Sequence, residues 1–500
     1  VSRVPSDPAQ RALELEREVE NRRWSNLAAQ IGLVGGPLLA GLMLLAGPPT
    51  GLSAAGWATL ALLLVMVIWW ITEALPIAAT ALLPLVALPL AGVANPVAAA
   101  ASYADPIIFL FIGGFIIAAA IERWNLHTRI ALSLAGAIGA RPVALVASFL
   151  LAAALLSMWI SNTATALMLM PTAIGVVRAM TPAGQAPDRA FAAALVLAVA
   201  YGASIGGIGT PVGSPTNLVA MGYLERNGLA LDFSRWMLLA LPIMSAMLAC
   251  AWVLLSWRVR RVRADAIAGR AVIASARAAL GPISVPERRV LVVFLVVAAA
   301  WMFRPLLASV PGLAGLSDMG IAIAGALVLF VLPSGAPGPD RGALLDWPSA
   351  ERLPWGVALL FGGGLTIAAA MSSTGVTDWL GSELSQLGIF TPFLALLLIV
   401  TVTIFATELT SNTATLTAML PVVGALSQAT GLPALHLAFG ASIAAGMAFM
   451  LPIATPPNAI AYGTGHVRVT DMARVGLWLN LVGIVVIVAI VEALAPLLAG

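Results

Sequence analysis

Two short polar runs carry the residue types that could do chemistry. Ser161-Asn162-Thr163-Ala164-Thr165 interrupts one long apolar segment, and Ser411-Asn412-Thr413-Ala414-Thr415 interrupts another 250 positions later, with Pro171 and Pro421 at matching places beyond them. A second pair recurs at an offset of 241: Gly213-Ser214-Pro215-Thr216-Asn217 and Ala454-Thr455-Pro456-Pro457-Asn458, with Gly222 answering Gly463. Hydroxyls and amides inside apolar segments are costly unless they find partners or line a cavity. Where one short helix ends and another begins, unpaired carbonyls can take a cation and unpaired N–H groups an anion. Asn and Thr side chains serve either role. Proline breaks a helix and frees backbone groups in the same way. The competing reading is that the Ser-Asn-Thr runs only cap helices and that the prolines only kink them.

Other candidates carry less. Glu408, three residues before Ser411, lies inside an apolar segment, where an acidic group is a functional candidate. It either braces a hairpin through that hairpin's own backbone amides or binds a cation. The Gly207–Gly213 run lacks both the preceding strand and the Gly-Lys-Ser of a phosphate loop, which excludes a nucleotide site. His127, His436 and His466 are spread along the chain near expected span ends and read as interfacial residues rather than metal ligands. Gly202-x-x-x-Gly206 and Gly209-x-x-x-Gly213 would let helices approach closely. Cys250 is the single cysteine and reads as a buried spectator.

The elements that must position these residues follow from composition. Of the 500 residues 61% are hydrophobic and only 9% are charged, with mean hydropathy +1.00, so the chain has too little polar surface for a soluble protein of this length. The segments long enough for a hydrocarbon core are 28–47, 54–73, 75–92, 106–122, 187–224, 235–257, 289–309, 315–333, 354–371, 432–465 and 473–498, about eleven crossings. Segments 142–178 and 390–428 are too long for one span. Their limbs on either side of the polar runs are too short for two, so each is expected to be a re-entrant hairpin. With the N-terminus in the cytoplasm, only Arg226, Arg235 and Arg304 of the 25 basic residues, all arginine, fall outside. That bias fits the positive-inside rule, explains the net charge of +3, and leaves no need for a nucleic-acid partner. The first residues carry mixed charges and no short apolar core, so no cleavable signal is expected there.

Residues 110–120 (LFIGGFIIAAA) answer residues 360–370 (LFGGGLTIAAA). Together with the polar pairs this defines a duplicated chain: a charged segment 1–27, a first repeat 28–257, a basic linker 258–288 and a second repeat 289–500. The span count makes the repeats inverted. The expected fold class is therefore an all-α polytopic membrane protein of two inverted repeats, with two re-entrant hairpins and broken helices at the midplane, an architecture of secondary transporters. An anion channel fits less well, since tips reaching the midplane from both faces favour an occluded site. An intramembrane enzyme would need a catalytic arrangement that the sequence lacks.

The twin Ser-Asn-Thr-Ala-Thr runs, each followed by a helix break ending in Ser/Thr-Pro and Asn, closely resemble the divalent anion sodium symporter family over about 30–498. That resemblance implies one sodium ion held by Ser157, Ser161, Asn162 and the backbone of Gly213. It implies a second held by Thr407, Ser411, Asn412 and the backbone of Ala454. The substrate, a small dianion, would meet Asn162, Thr163, Asn412 and Thr413, supported by Ser214, Pro215, Thr455 and Pro456. It further implies sodium-coupled symport of C4-dicarboxylates such as succinate, malate or fumarate by an elevator movement of a transport domain against a scaffold. A homodimer in the lipid of the bacterial inner membrane is expected, and no enzymatic activity. Sulfate, citrate and sodium-independent exchange belong to the same family. The first broken helix departs from the commoner Thr-Pro-Pro, having Ser214-Pro215-Thr216.

Overall fold

The computed structural model describes residues 8–498 except 138, 140, 182–184, 230, 261, 263–265, 338–340 and 387; the side chains of 8–26, 135–137, 266–270 and 495–498 are not described. Parts of the expected segments 1–27 and 258–288, Arg3, Arg261 and Arg263 among them, lie outside the described residues. The described chain is helical, with no strand beyond an isolated bridge between Pro333 and Ala343. It is an all-α polytopic membrane protein in which each repeat carries one hairpin and one broken helix.

Seven helices among the described residues are long and apolar enough to cross a membrane, and shorter apolar helices account for other expected spans. The differences have local causes. The expected span 75–92 is divided into Ile77–Thr80, which follows Pro76, and Leu83–Leu90, which has Pro84 in its first turn. The span expected at 289–309 begins with Glu287, Arg288 and Arg289 in the helix Val285–Met302, opened by a capping box between Ser284 and Glu287. The expected charged helix before residue 28 is continuous with the first span, as Pro8–Ala46.

By contact the chain divides into two units. One comprises Val1–Ala104, Trp355–Phe390 and Leu420–Gly431; the other comprises Asp105–Pro354, Thr391–Met419 and Leu432–Gly500. In the first unit, Trp69 Nε1 donates to the Gly32 carbonyl at 3.0 Å, and Leu52, Met371 and Val376 form a small core under Trp57 and Trp379. A Cβ on Gly363, in helix Trp355–Ser373, would overlap the backbone of Ala81. Its repeat mate Gly113, in helix Pro106–Arg123 of the second unit, likewise has the backbone of Ala322 against it. The duplicated Gly-Gly motif therefore serves close helix packing in both places.

The second unit holds the first hairpin, both hairpin tips and both broken helices, and the second limb of the second hairpin belongs to it as far as Met419. The first hairpin is Pro142–Ser157 and Asn162–Ala179; the second is Pro392–Ala406 followed by a helix starting at Asn412. The first broken helix is Arg189–Gly207, a 3-10 turn at Pro211–Gly213, then Pro215–Arg226. The second is Ala434–Ala445, then Pro456–Gly463. Gly202 and Gly206 lie against the Leu150 and Ala154 carbonyls of the first hairpin, where any Cβ would collide with backbone. The expected close approach at Gly202-x-x-x-Gly206 is thus helix packing within one unit.

Candidate functional site

Each hairpin ends in the same construction. At the first tip the Ser157 hydroxyl donates to Asn162 Oδ1 at 2.6 Å. At the second the Thr407 hydroxyl donates to Asn412 Oδ1, also at 2.6 Å. Both pairs join the end of one limb to the first residue of the next. Ser157 and Thr407 are fully buried, whereas Ser161, Asn162, Thr163, Ser411 and Asn412 are only partly so. The hydrogen bond takes up part of each amide oxygen and leaves its second lone pair available. Ser161 does cap its helix, accepting the Ala164 amide at 3.2 Å, so the capping reading holds for that side chain alongside any other role.

The breaks are held by a matched pair of asparagines. Asn217 Nδ2 donates to the carbonyls of Gly207 and Thr210, both at 2.8 Å. Asn458 Nδ2 donates to Ala448 at 3.1 Å and Leu451 at 3.0 Å, the positions that correspond at the 241-residue offset. Each asparagine thus replaces helical hydrogen bonds that the break has removed. Among polar groups without any partner is the buried Asn458 Oδ1.

Around the first tip the oxygens converge. A Cβ built on Gly213 would lie 2.6 Å from the Gly207 carbonyl and 3.0 Å from each of the Ser157 and Met158 carbonyls. A Cβ on Gly207 would lie 2.6 Å from Asn162 Oδ1. Only glycine leaves this space open. The cluster of hydroxyl, amide and carbonyl oxygens suits a small hard cation. The Met158 and Gly207 carbonyls belong to it and are not signalled by residue type. Around the second tip the Thr407 hydroxyl also lies 3.1 Å from the Ala445 carbonyl, and Ala454 is buried in the break with its amide on the Leu451 carbonyl at 3.2 Å. Of the residues expected at the substrate, Ser214, Thr413 and Thr455 are buried, Pro215 is half-buried and Pro456 is exposed.

The half-sites are tied together through the broken helices. The short limb Pro456–Gly463 packs on the second limb of the first hairpin, and Pro215–Arg226 packs on Ala434–Ala445. Tyr201, fully buried, donates to the Phe449 carbonyl at 2.9 Å. Its counterpart at the 241-residue offset, Ser442, points back to Asn217 Oδ1 at 3.5 Å.

Two expectations need correction. Glu408 does not use its own hairpin's amides: it reaches across to the second break, accepting the N–H groups of Phe449, Met450 and Leu451 at 2.7–3.1 Å and Asn480 Nδ2 at 2.8 Å. Three successive amides freed by the break need an acceptor, and one carboxylate supplies it. Met158 occupies the matching place in the first repeat, so this charge has no partner by symmetry. His436 is buried, at 3% exposure, rather than interfacial, because it lies in the first turn of a limb enclosed by neighbouring helices.

Among the described residues, paired hairpin tips beside unwound helices have the architecture of a polytopic membrane transporter. Residues 33–499 match the sodium:sulfate symporter transmembrane region, and the chain belongs to that family. The sodium-dependent dicarboxylate transporter SdcS of Staphylococcus saprophyticus is 39% identical over 489 residues, 96% of this chain and 94% of that protein. That of Staphylococcus aureus is 38% identical over 478 residues, covering 94% and 92%. In structure the chain resembles the Alcanivorax borkumensis YdaH transporter, with a TM-score of 0.55 at 14% identity over 88% of this chain and 98% of that one. That likeness is one of fold.

Proposed function

We propose that this protein is a sodium-coupled symporter of C4-dicarboxylates such as succinate, malate or fumarate. It sits in the bacterial inner membrane with its N-terminus in the cytoplasm. The observation that carries this reading is the twinned tip, Ser157 on Asn162 and Thr407 on Asn412, each beside an unwound helix. In this reading Ser157, Ser161, Asn162 and the Gly213 backbone, with the carbonyls of Met158 and Gly207, hold one sodium ion. Thr407, Ser411, Asn412 and the Ala454 backbone hold the second. The dianion meets Asn162, Thr163, Asn412 and Thr413, with Ser214, Pro215, Thr455 and Pro456 as support. The Staphylococcus relatives, sodium-dependent dicarboxylate transporters that align over nearly the whole chain, support the choice of ion and substrate class.

Charge gives the mechanism. The protein has no lysine, and no arginine lies in the tips or breaks. Helix N-termini offer only about half a positive charge each, and the buried Glu408 adds a negative one nearby in sequence to Thr407. A dianion enters such a site only with cations, so sodium binding and substrate binding are coupled. Both half-sites lie in one contact unit, which supports their moving together as an elevator within a homodimer built from repeats 28–257 and 289–500, joined by the linker 258–288. Proteoliposome uptake of labelled succinate, malate, fumarate, citrate and sulfate, with and without an inward sodium gradient, tests the reading. Sodium-driven accumulation of the C4 acids is expected. Accumulation of sulfate or citrate alone would replace the substrate, and equal rates without sodium would replace the mechanism.

A further inference from the structure

The two breaks share their backbone but differ at one side-chain bond. Ser214 and Thr455 occupy matching positions with nearly the same extended conformation, φ −141°, ψ 139° and φ −143°, ψ 151°. Thr455 uses its hydroxyl oxygen to cap the following helix, accepting the Asn458 amide at 3.3 Å. Ser214 caps nothing. Its hydroxyl instead lies 2.8 Å from the hydroxyl of Thr216, the residue that stands where the second repeat has Pro457. Thr216 is fully buried and also lies 3.4 Å from Asn217 Oδ1.

The hydrogen-bond chain can run in either of two directions. Both amide hydrogens of Asn217 go to carbonyls, so its Oδ1 is an acceptor facing Thr216 and Ser442. A hydroxyl has one hydrogen to give. If Thr216 donates to Ser214, the Ser214 hydrogen is free for an incoming acceptor, while Ser442 still serves Asn217. If Ser214 donates to Thr216, Thr216 donates on to Asn217, and every member stays satisfied with no anion present. The same three side chains therefore have one arrangement for the loaded site and one for the empty site.

We propose that Thr216 is a positioning residue for the substrate anion, holding the Ser214 hydroxyl so that its hydrogen can turn to a carboxylate oxygen without leaving a buried group unpaired. This rests on the reading above that Ser214 faces the anion. The Thr455 hydroxyl, which accepts the Asn458 backbone N–H, has no such reversible hydroxyl partner, so the two ends of the substrate are held differently.

The test is labelled succinate uptake by purified protein in proteoliposomes at saturating sodium, comparing Thr216→Val, Thr216→Ser, Ser214→Ala and the Ser214→Ala/Thr216→Val pair. Thr216→Val is expected to raise the substrate KM about tenfold, the scale of one lost buried hydrogen bond. Maximal rate and half-activating sodium should change far less, and Thr216→Ser should restore the KM. The double variant is expected to be no worse than Ser214→Ala. Thr216→Ala replaces valine if the valine variant is not monodisperse. A wild-type KM in Thr216→Val, or in Thr216→Ala where that variant replaces it, or full additivity with Ser214→Ala, overturns the proposal while leaving the site reading intact. A wild-type KM in Ser214→Ala, or no sodium-driven uptake by the unaltered protein, overturns both.

Discussion

The carboxylate of Glu408 accepts the backbone N–H of Phe449 at 2.7 Å across 41 residues of sequence, while the carbonyl of the same Phe449 accepts the Tyr201 hydroxyl. One residue of the second break is thereby fixed through the peptide groups on both its sides. Replacing Glu408 with glutamine exchanges an acceptor oxygen for an NH2 group facing N–H donors. Each amide left without a partner costs about 1–3 kcal/mol. Glu408→Gln is expected to lower the unfolding temperature in detergent and to raise the sodium concentration for half-maximal uptake. Unchanged thermal stability together with unchanged sodium dependence would contradict the bracing role.

Tyr201→Phe is the milder test of the same residue, Phe449. It removes one hydroxyl from a fully buried ring that also packs edge-on against Phe449, with centroids 5.2 Å apart. The ring contact survives, so the expected loss is about 1 kcal/mol, measurable as a small drop in melting temperature with transport retained. A loss as large as that of Glu408→Gln would show that the hydroxyl does more than hold one carbonyl.

Asn217 and Asn458 are expected to behave as a pair. Alanine at either position strips two carbonyls of their donor, so each variant should lose stability by about 1–3 kcal/mol and most of its transport. Comparable melting curves for the two variants check the equivalence. A variant that transports at the wild-type rate would show that its break needs no side-chain support.

Gly206 permits no side chain, because a Cβ there would overlap the Ala154 backbone. Gly206→Val is expected to abolish correctly assembled protein, read as loss of a monodisperse peak in gel filtration. Gly228, in a turn with φ +76° and open space around it, should tolerate asparagine, a residue that accepts this conformation. Equal tolerance at both positions would contradict the packing described.

Much of this was legible in the sequence, for reasons that particular residues make plain. Asn162 and Asn412 were visible because polar residues in apolar segments are conspicuous and because they recur at one offset. The breaks were visible because proline removes a donor wherever it stands. The carbonyls of Met158 and Gly207 were not, since every residue carries one and only the fold aims it. Glu408 was visible as a charge in an apolar segment, but its partners Phe449, Met450 and Leu451 lie in the second break, some forty residues on, which no local pattern announces. The exchange of Pro457 for Thr216 was readable as a departure, while its bond to Ser214 was not.

Cation coupling is the central claim, and sodium activation tests it most directly. Initial uptake of labelled succinate into proteoliposomes is measured as sodium replaces choline at fixed pH and fixed ionic strength. Uptake is expected to be absent in choline and to rise more than linearly with sodium. Ser157→Ala and Thr407→Ala should shift the curve to higher sodium before they weaken succinate affinity at saturating sodium, and Asn162→Ala or Asn412→Ala should nearly abolish it without preventing membrane insertion. Undiminished uptake with choline in place of all sodium, or wild-type curves in both asparagine variants, would contradict the account.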